Sequence, residues 1–150
     1  MNRLLGALSL LEAPRSLPPG SVRERLLRRS RLERTYPVVC RNLGLPCELS
    51  TSILGAQLLA RSQAEEIGRT LEIVPLKGLD LAWQEYPSPE LRDMGDVDLL
   101  IRISEVTRAD EVLRSLGYAP ERAPEPLRSG TLRAVLYERE GSLPVHLHWH

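Results

Sequence analysis

Apolar residues recur along the first half of the sequence at the spacing of amphipathic helices. Residues 4–13, 18–34 and 49–71 each gather leucine and other apolar residues toward one helical face. The arginines of residues 23–34 are interleaved with glutamates, so we interpret them as a solvated helix face rather than a phosphate-binding surface. The pattern predicts an N-terminal helical segment over residues 1–70.

After residue 71 the apolar residues alternate or run together, which is the pattern of buried β-strands. Gly141 and Ser142 separate the last two such segments, so we expect a hairpin there. The first segment ends at Lys77 and Gly78, which predicts a turn. The predicted strands are residues 72–78, 97–103, 131–140 and 143–149.

Two segments between these strands keep helical spacing, residues 79–86 and residues 104–118, and the proline-rich residues 119–126 predict a loop. Helices followed by strand, helix, strand, helix, strand and strand are typical of an α/β (α+β) domain with a mixed sheet flanked by helices. We therefore expect a core at residues 71–150 behind the helical segment 1–70.

The charge and aromatic content narrow the range of partners. Twenty basic residues balance 20 acidic ones, phenylalanine is absent and aromatic residues make up 4% of the chain. The balanced charge gives the protein no net electrostatic attraction for a polyanion, and few aromatic side chains can stack on nucleic-acid bases. We do not expect a nucleic-acid partner, and any anionic substrate must be recognised locally.

The cysteines and the first residues bear on the compartment. Cys40 and Cys47 lack the second pair that a disulfide framework or a zinc site would need, so we interpret them as reduced thiols. The apolar run at residues 4–13 contains Gly6 and Ser9, which disfavours a signal peptide. No apolar run approaches the length that crosses a bilayer. These features predict a cytoplasmic protein without a membrane partner.

The strongest chemical signal is a pair of aspartates at the start of a predicted strand. Asp96 and Asp98 share one strand face while Val97 points to the other. Two carboxylates on one face repel each other unless a cation lies between them, and Mg²⁺ prefers such oxygen ligands.

A structural explanation of the same pair is open. Asp96 can stabilise a turn, and Asp98 can pair with Arg92 or Arg102. The context favours chemistry, because Arg92 lies just upstream, Gly95 permits an unusual backbone angle and a buried strand follows.

Further motifs stand in order around this pair. They are Leu-Lys-Gly at residues 76–78, Tyr86, Arg92 before the aspartates, a helix that ends in Gly117-Tyr118, and His148-Trp149 in the last strand. Over residues 72–150 this series resembles the uncharacterised nucleotidyltransferases of the DNA-polymerase-beta-like superfamily.

The resemblance implies a reaction and a site. A nucleoside monophosphate would pass from a nucleoside triphosphate to an unknown acceptor, which is a protein, a peptide or a small molecule. Asp96 and Asp98 would be catalytic and hold Mg²⁺ (or Mn²⁺), and Lys77, Gly78 and Arg92 would bind the nucleotide.

One position departs from the family pattern. Relatives carry Glu or Asp two residues before the late histidine, as a third metal carboxylate, and here that position is His146. His146 serves as a ligand or base, or Glu138 or Glu140 serves instead, or the chain is an impaired binding module. A zinc or nickel site of His146, His148 and His150 is a further alternative.

Several properties stay open from the sequence. Relatives continue beyond the His-Trp pair into a mostly helical region, so this sequence is either a piece of a longer chain or a minimal form. The acceptor, the nucleotide base and the oligomeric state are not specified by any motif.

Overall fold

The computed structural model describes residues 19–122 and 134–150. The helices in these ranges are α1 (Gly20–Leu32), α2 (Tyr36–Asn42), α3 (Ser50–Gly68), α4 (Lys77–Gln84) and α5 (Val106–Ser115), with 3₁₀ turns at Pro89–Leu91 and Ile103–Glu105. The strands are β1 (Val74–Pro75), β2 (Val97–Ile101), β3 (Ala119–Pro120), β4 (Ala134–Glu138) and β5 (Val145–Trp149). The helix expected at residues 4–13 lies outside the described residues.

The strands form one mixed sheet in the order β1-β2-β5-β4-β3. Strands β2 and β5 are parallel, and the other neighbours are antiparallel. The predicted hairpin forms between β4 and β5, with Gly141 in the left-handed region at φ 71°. The expected fold class, a mixed sheet flanked by helices, is confirmed.

The helices α3, α4 and α5 pack on one face of the sheet. Strand β2 contributes Val97, Leu99 and Ile101 to this face, and α3 contributes Ala60 and Ile67. All five side chains are at most 3% exposed. Burying a side chain of the size of leucine or isoleucine stabilises a fold by about 1.5–3 kcal/mol. Because successive side chains of a strand point to opposite faces of the sheet, Asp98 and Leu100 of β2 lie on the other face.

A buried glutamine ties α3 to the hairpin. Gln63 donates from Nε2 to the Tyr118 hydroxyl at 2.8 Å and to the Leu143 carbonyl at 2.9 Å, and its Oε1 accepts from the Leu143 N–H at 2.9 Å. Its side chain is 1% exposed. These bonds satisfy groups that water cannot reach, so they fix the position of α3 over the sheet.

The N-terminal helices divide between two clusters. A small cluster contains Leu26 of α1, Val39 of α2 and Leu43 directly after α2, whereas α3 belongs to the main core. The division at residue 70 stays a prediction. Of the described helices, none has the length and apolar content needed to cross a bilayer.

The first predicted strand differs from the expectation. The strand is reduced to Val74 and Pro75, and Val74 is 54% exposed because β1 is an edge strand, where proline is tolerated. Lys77 and Gly78 do not form a separate turn but begin α4.

Two other elements were not predicted. The helix α2 begins with Tyr36-Pro37, and proline is favoured in a first helical turn. The strand β3 lies in the predicted proline-rich loop, where Ala119 and Pro120 pair with β4.

Candidate functional site

Asp98 occupies the second position of β2 and faces away from the helical core. Its backbone carbonyl accepts a hydrogen bond from the Leu76 N–H at 2.9 Å, which brings the start of α4 beside it. In the parallel register, Asp98 lies opposite His146 of β5. Asp98 is only 5% exposed, so its charge needs compensation from its neighbours.

Two side chains contact that carboxylate, and one of them, Lys77, is a cation. The Lys77 Nζ donates to Asp98 Oδ1 at 2.6 Å, and His148 Nε2 lies 2.7 Å from the same oxygen. Burial acts to raise the pKa of Asp98, but the hydrogen bonds of Lys77 and His148 outweigh it and hold the pKa below its ordinary value.

The alternative pairing of Asp98 with an arginine is wrong. Arg102 pairs with Glu72 at 3.1 Å, and Lys77 and His148 contact Asp98 instead. Arg92 makes no ion pair with Asp98 among the described residues.

Asp96 stands just before β2 and approaches the site from its edge. Its Oδ2 lies 3.4 Å from His146 Nδ1, and the same nitrogen is 3.9 Å from Asp98 Oδ1. The Asp96 side chain is 41% exposed, against 6% for Asp98. Both carboxylates therefore lie close to His146: that of Asp96 is exposed to solvent, and that of Asp98 is buried in the sheet.

One group of metal-ligating side chains is found in the described part of the chain. The ligand atoms of Asp98, His146 and His148 lie within 4.8 Å of one another. Asp96 is outside this group, as are Glu138 and Glu140, the suggested substitutes for a third carboxylate.

The alternative site of three histidines is present only in part. His146 and His148 share a face of β5, whereas His150 follows the end of the strand, is exposed and does not join the group. The buried Asp98 stands in its place. One carboxylate and two imidazoles fit a divalent cation, and the two nitrogens favour an ion softer than Mg²⁺.

Lys77 and Gly78 stand at the first turn of α4. Lys77 has φ 48°, an uncommon angle for a non-glycine residue, and its side chain reaches Asp98 while remaining 60% exposed. Gly78 is buried against Met94, whose side chain would lie 3.5 Å from an added Cβ. The unusual backbone therefore belongs to Lys77 rather than to Gly78.

The loop before Asp96 contains Arg92 and lies beside Arg34. Arg92 is half-buried, its carbonyl accepts from Gln57 Nε2 at 2.6 Å, and its buried Nε has no hydrogen-bond partner in the described residues. Gly95 was expected to adopt an unusual backbone angle, but its φ is not positive. The Arg34 guanidinium lies over it instead, 3.2 Å and 3.3 Å from the position of an added Cβ.

Arg34 and the role of His148 were missed from the sequence. Arg34 is embedded in a charge pattern typical of a solvated helix, and it comes beside Gly95 only through the packing of the N-terminal helices. The period of two placed His148 on the face of His146, but its contact with Asp98 depends on which strands pair.

The comparisons with known proteins identify the family of the chain. The family described as "Uncharacterised nucleotidyltransferase" matches residues 21–150, and the chain belongs to this family. The match extends the resemblance from residues 72–150 to helices α1, α2 and α3. Neither a curated protein nor a solved structure matches the chain. The family supports nucleotidyl transfer as the general activity, with a nucleoside triphosphate as substrate.

Proposed function

We propose that the chain is a divalent-metal-dependent nucleotidyltransferase. It would move a nucleoside monophosphate from a nucleoside triphosphate to a protein, peptide or small-molecule acceptor. One observation carries the proposal: in a chain of this family, Asp98 lies opposite His146 across the parallel strands, with Asp96 at 3.4 Å from the same imidazole.

Asp96 and Asp98 are the proposed ligands of Mg²⁺ or Mn²⁺. Magnesium takes one or two protein carboxylates and leaves its other positions to water and phosphate oxygens. When bound, such an ion neutralises the charge of the transferring phosphoryl group. The lowered pKa of Asp98 supports this role, because the carboxylate is ionised at neutral pH despite its burial.

Cations around the carboxylates would bind the triphosphate. The Lys77 side chain is 60% exposed, so its ammonium can leave Asp98 and reach a phosphate once another cation occupies the carboxylate. Arg92 belongs to the loop before Asp96, the Arg34 guanidinium lies beside Gly95 of that loop, and a planar guanidinium binds phosphate through two parallel hydrogen bonds. Gly78, beside Lys77, completes the proposed nucleotide contacts.

The transfer balances without a further reactant. The acceptor hydroxyl oxygen forms a bond to the α-phosphorus, the bond from that phosphorus to the bridging oxygen of the β-phosphate breaks, and pyrophosphate leaves with the electron pair. The hydroxyl proton passes to His146, whose neutral imidazole can accept it where relatives have a carboxylate.

A second function, nucleotide binding without turnover, is favoured by a specific observation. The third carboxylate position carries His146, and Asp98 is already paired with Lys77 and in contact with His148. A transferase that has lost its activity would keep the contacts to phosphate but lack the third carboxylate, whose charge helps to activate the acceptor.

Mass spectrometry tests the proposal without knowledge of the acceptor. The full chain is incubated with each nucleoside triphosphate and Mg²⁺ or Mn²⁺, and pyrophosphate release or self-modification is measured. In the double variant Asp96→Asn and Asp98→Asn we expect transfer to fall at least about 100-fold, since removing charge stabilisation from a transition state has effects of this order.

The exposed Glu140 provides the matched control, because Glu140→Gln removes a nearby acid outside the ligand group. Unchanged transfer by the double variant would overturn the assignment. Calorimetry with ATP and Mg²⁺ separates the second function, which predicts binding by the natural chain with no pyrophosphate release. Absence of both binding and release contradicts both functions.

A further inference from the structure

Two imidazoles and a buried carboxylate meet on the half-buried face of the sheet. Asp98 Oδ1 lies 2.7 Å from His148 Nε2 and 3.9 Å from His146 Nδ1. Ligand atoms at about 2.0–2.1 Å from a tetrahedral zinc ion are about 3.3 Å apart. These two separations bracket that value, and all three ligand atoms lie within 4.8 Å of one another, so rotations of the two rings would bring them to coordination distance.

The backbone presents these ligands without further rearrangement. Alternation along β5 puts His146 and His148 on one face, and the parallel register places Asp98 opposite His146. The two rings are 5.9 Å apart between centroids and inclined at 72°, so they do not stack on each other. Regular strands therefore hold the ligand set, and strands position ligands more firmly than loops do.

The ligand chemistry selects the ion. Imidazole nitrogen suits zinc, nickel and other first-row transition ions, whereas magnesium demands oxygen ligands and dehydrates reluctantly. Three protein ligands with an open fourth position are the pattern of catalytic zinc sites. We propose that Asp98, His146 and His148 bind one transition ion of the Zn²⁺ class, in the absence of nucleotide and in preference to Mg²⁺.

Lys77 competes with this ion. Its ammonium is 2.6 Å from the Asp98 oxygen that the ion requires, and its side chain is 60% exposed, so it can move into solvent. Asp96, 3.4 Å from His146, adds negative charge beside the ion and compensates for the nearby ammonium. Ion entry thus frees Lys77, which links the site to phosphate binding. The link to phosphate binding rests on the proposed function, whereas ion binding in the absence of nucleotide is testable alone.

Cobalt binding tests the site by absorption spectroscopy. The full chain is titrated with Co²⁺, whose visible absorption reports its ligands, and Zn²⁺ and Mg²⁺ are then added as competitors. We expect one Co²⁺ per chain, displaced by equimolar Zn²⁺ and retained in millimolar Mg²⁺. Displacement by Mg²⁺, or binding of no Co²⁺, would overturn the proposal.

Variants assign the ligands. His146 is 38% exposed, so His146→Gln leaves the core intact, and we expect it and His148→Gln to weaken binding at least about 10–100-fold. His150→Gln is the matched control and should bind as the natural chain does. Equal losses in the control contradict the ligand set. Lys77→Met should bind several-fold more tightly, and weaker binding would contradict the competition. Circular dichroism confirms that each variant is folded.

The outcomes separate this inference from the proposed function. Zn²⁺ binding with no nucleotidyl transfer under any ion supports the site and contradicts the transferase. Transfer supported by Mg²⁺ in a chain that binds no Co²⁺ or Zn²⁺ supports the transferase and overturns the site.

Discussion

The two faces of the sheet follow the same alternation but have opposite surroundings. On the helical face, Leu99 and Leu147 are fully buried. On the other face, His146 and His148 keep 38% and 26% of their side chains exposed, and the buried Asp98 contacts His148 and Lys77. The comparison teaches that helices on one face supply the stability, which allows polar groups that would destabilise a core to gather on the other.

The largest expected effect lies on the helical face. Leu99→Ala should lower the free energy of unfolding by about 2–5 kcal/mol, because it removes buried contacts and leaves a cavity. Chemical denaturation measures the loss. Leu100→Ala is the matched control, since the next residue of β2 has the same side chain on the half-buried face. Equal losses at the two positions would refute the difference between the faces.

Gln63 tests whether polar groups on the helical face act structurally. Gln63→Leu should cost about 1–3 kcal/mol of unfolding free energy, because it leaves the buried polar groups of Leu143 and Tyr118 without partners. Thermal and chemical unfolding give the value. Gln84→Leu, an exposed glutamine of α4, should change stability by less than about 0.5 kcal/mol. A neutral effect of Gln63→Leu would contradict the tie between α3 and the hairpin.

Asp98 links the polar face to pH. Its folded pKa is lowered, so its contribution is present above the ordinary carboxyl value of about 3.9 and is lost as pH falls through the folded pKa. Because Lys77 is 60% exposed, solvent screens the pair and we expect about 1 kcal/mol or less. The free energy of unfolding, measured from neutral to strongly acidic pH, should fall less steeply in Asp98→Asn than in the natural chain.

Glu140→Gln serves as the control for the loss of stability at acidic pH, because this exposed carboxylate lies outside the group of Asp98, His146 and His148. Its pH profile should follow that of the natural chain. If Asp98→Asn loses as much stability at acidic pH as the natural chain does, the stabilising contacts of Lys77 and His148 with the Asp98 carboxylate are wrongly assigned.

The smallest effect concerns the approach to the polar face. Gly95→Ala places a Cβ at 3.2 Å and 3.3 Å from the Arg34 guanidinium nitrogens, so the arginine must shift by a few tenths of an ångström. We expect a few-fold loss of ATP affinity, which calorimetry measures, and a stability change within about 0.5 kcal/mol. Gly55→Ala, where an added Cβ meets nothing within 4 Å, should leave affinity unchanged. Unaltered affinity in Gly95→Ala would remove Arg34 from the proposed nucleotide site.

Much of this architecture follows from local pattern. The helical spacing of residues 49–71 corresponds to α3, and the apolar run after Asp96 corresponds to β2. These elements were predictable because a helix or a strand imposes its own period on its neighbours in the chain. The short edge strand β1 and the helix α2 were less predictable, because packing rather than period defines them.

The sequence by itself determined which residues share a strand face, and so it placed Asp98 on one face of its strand and His146 with His148 on one face of another. Only the tertiary structure decided that these two strands lie side by side in parallel, that Lys77 pairs with the Asp98 carboxylate and that the Arg34 guanidinium lies beside Gly95. The physical reason is that periodicity is a property of a few consecutive residues, whereas strand pairing depends on burying surfaces that are distant along the chain.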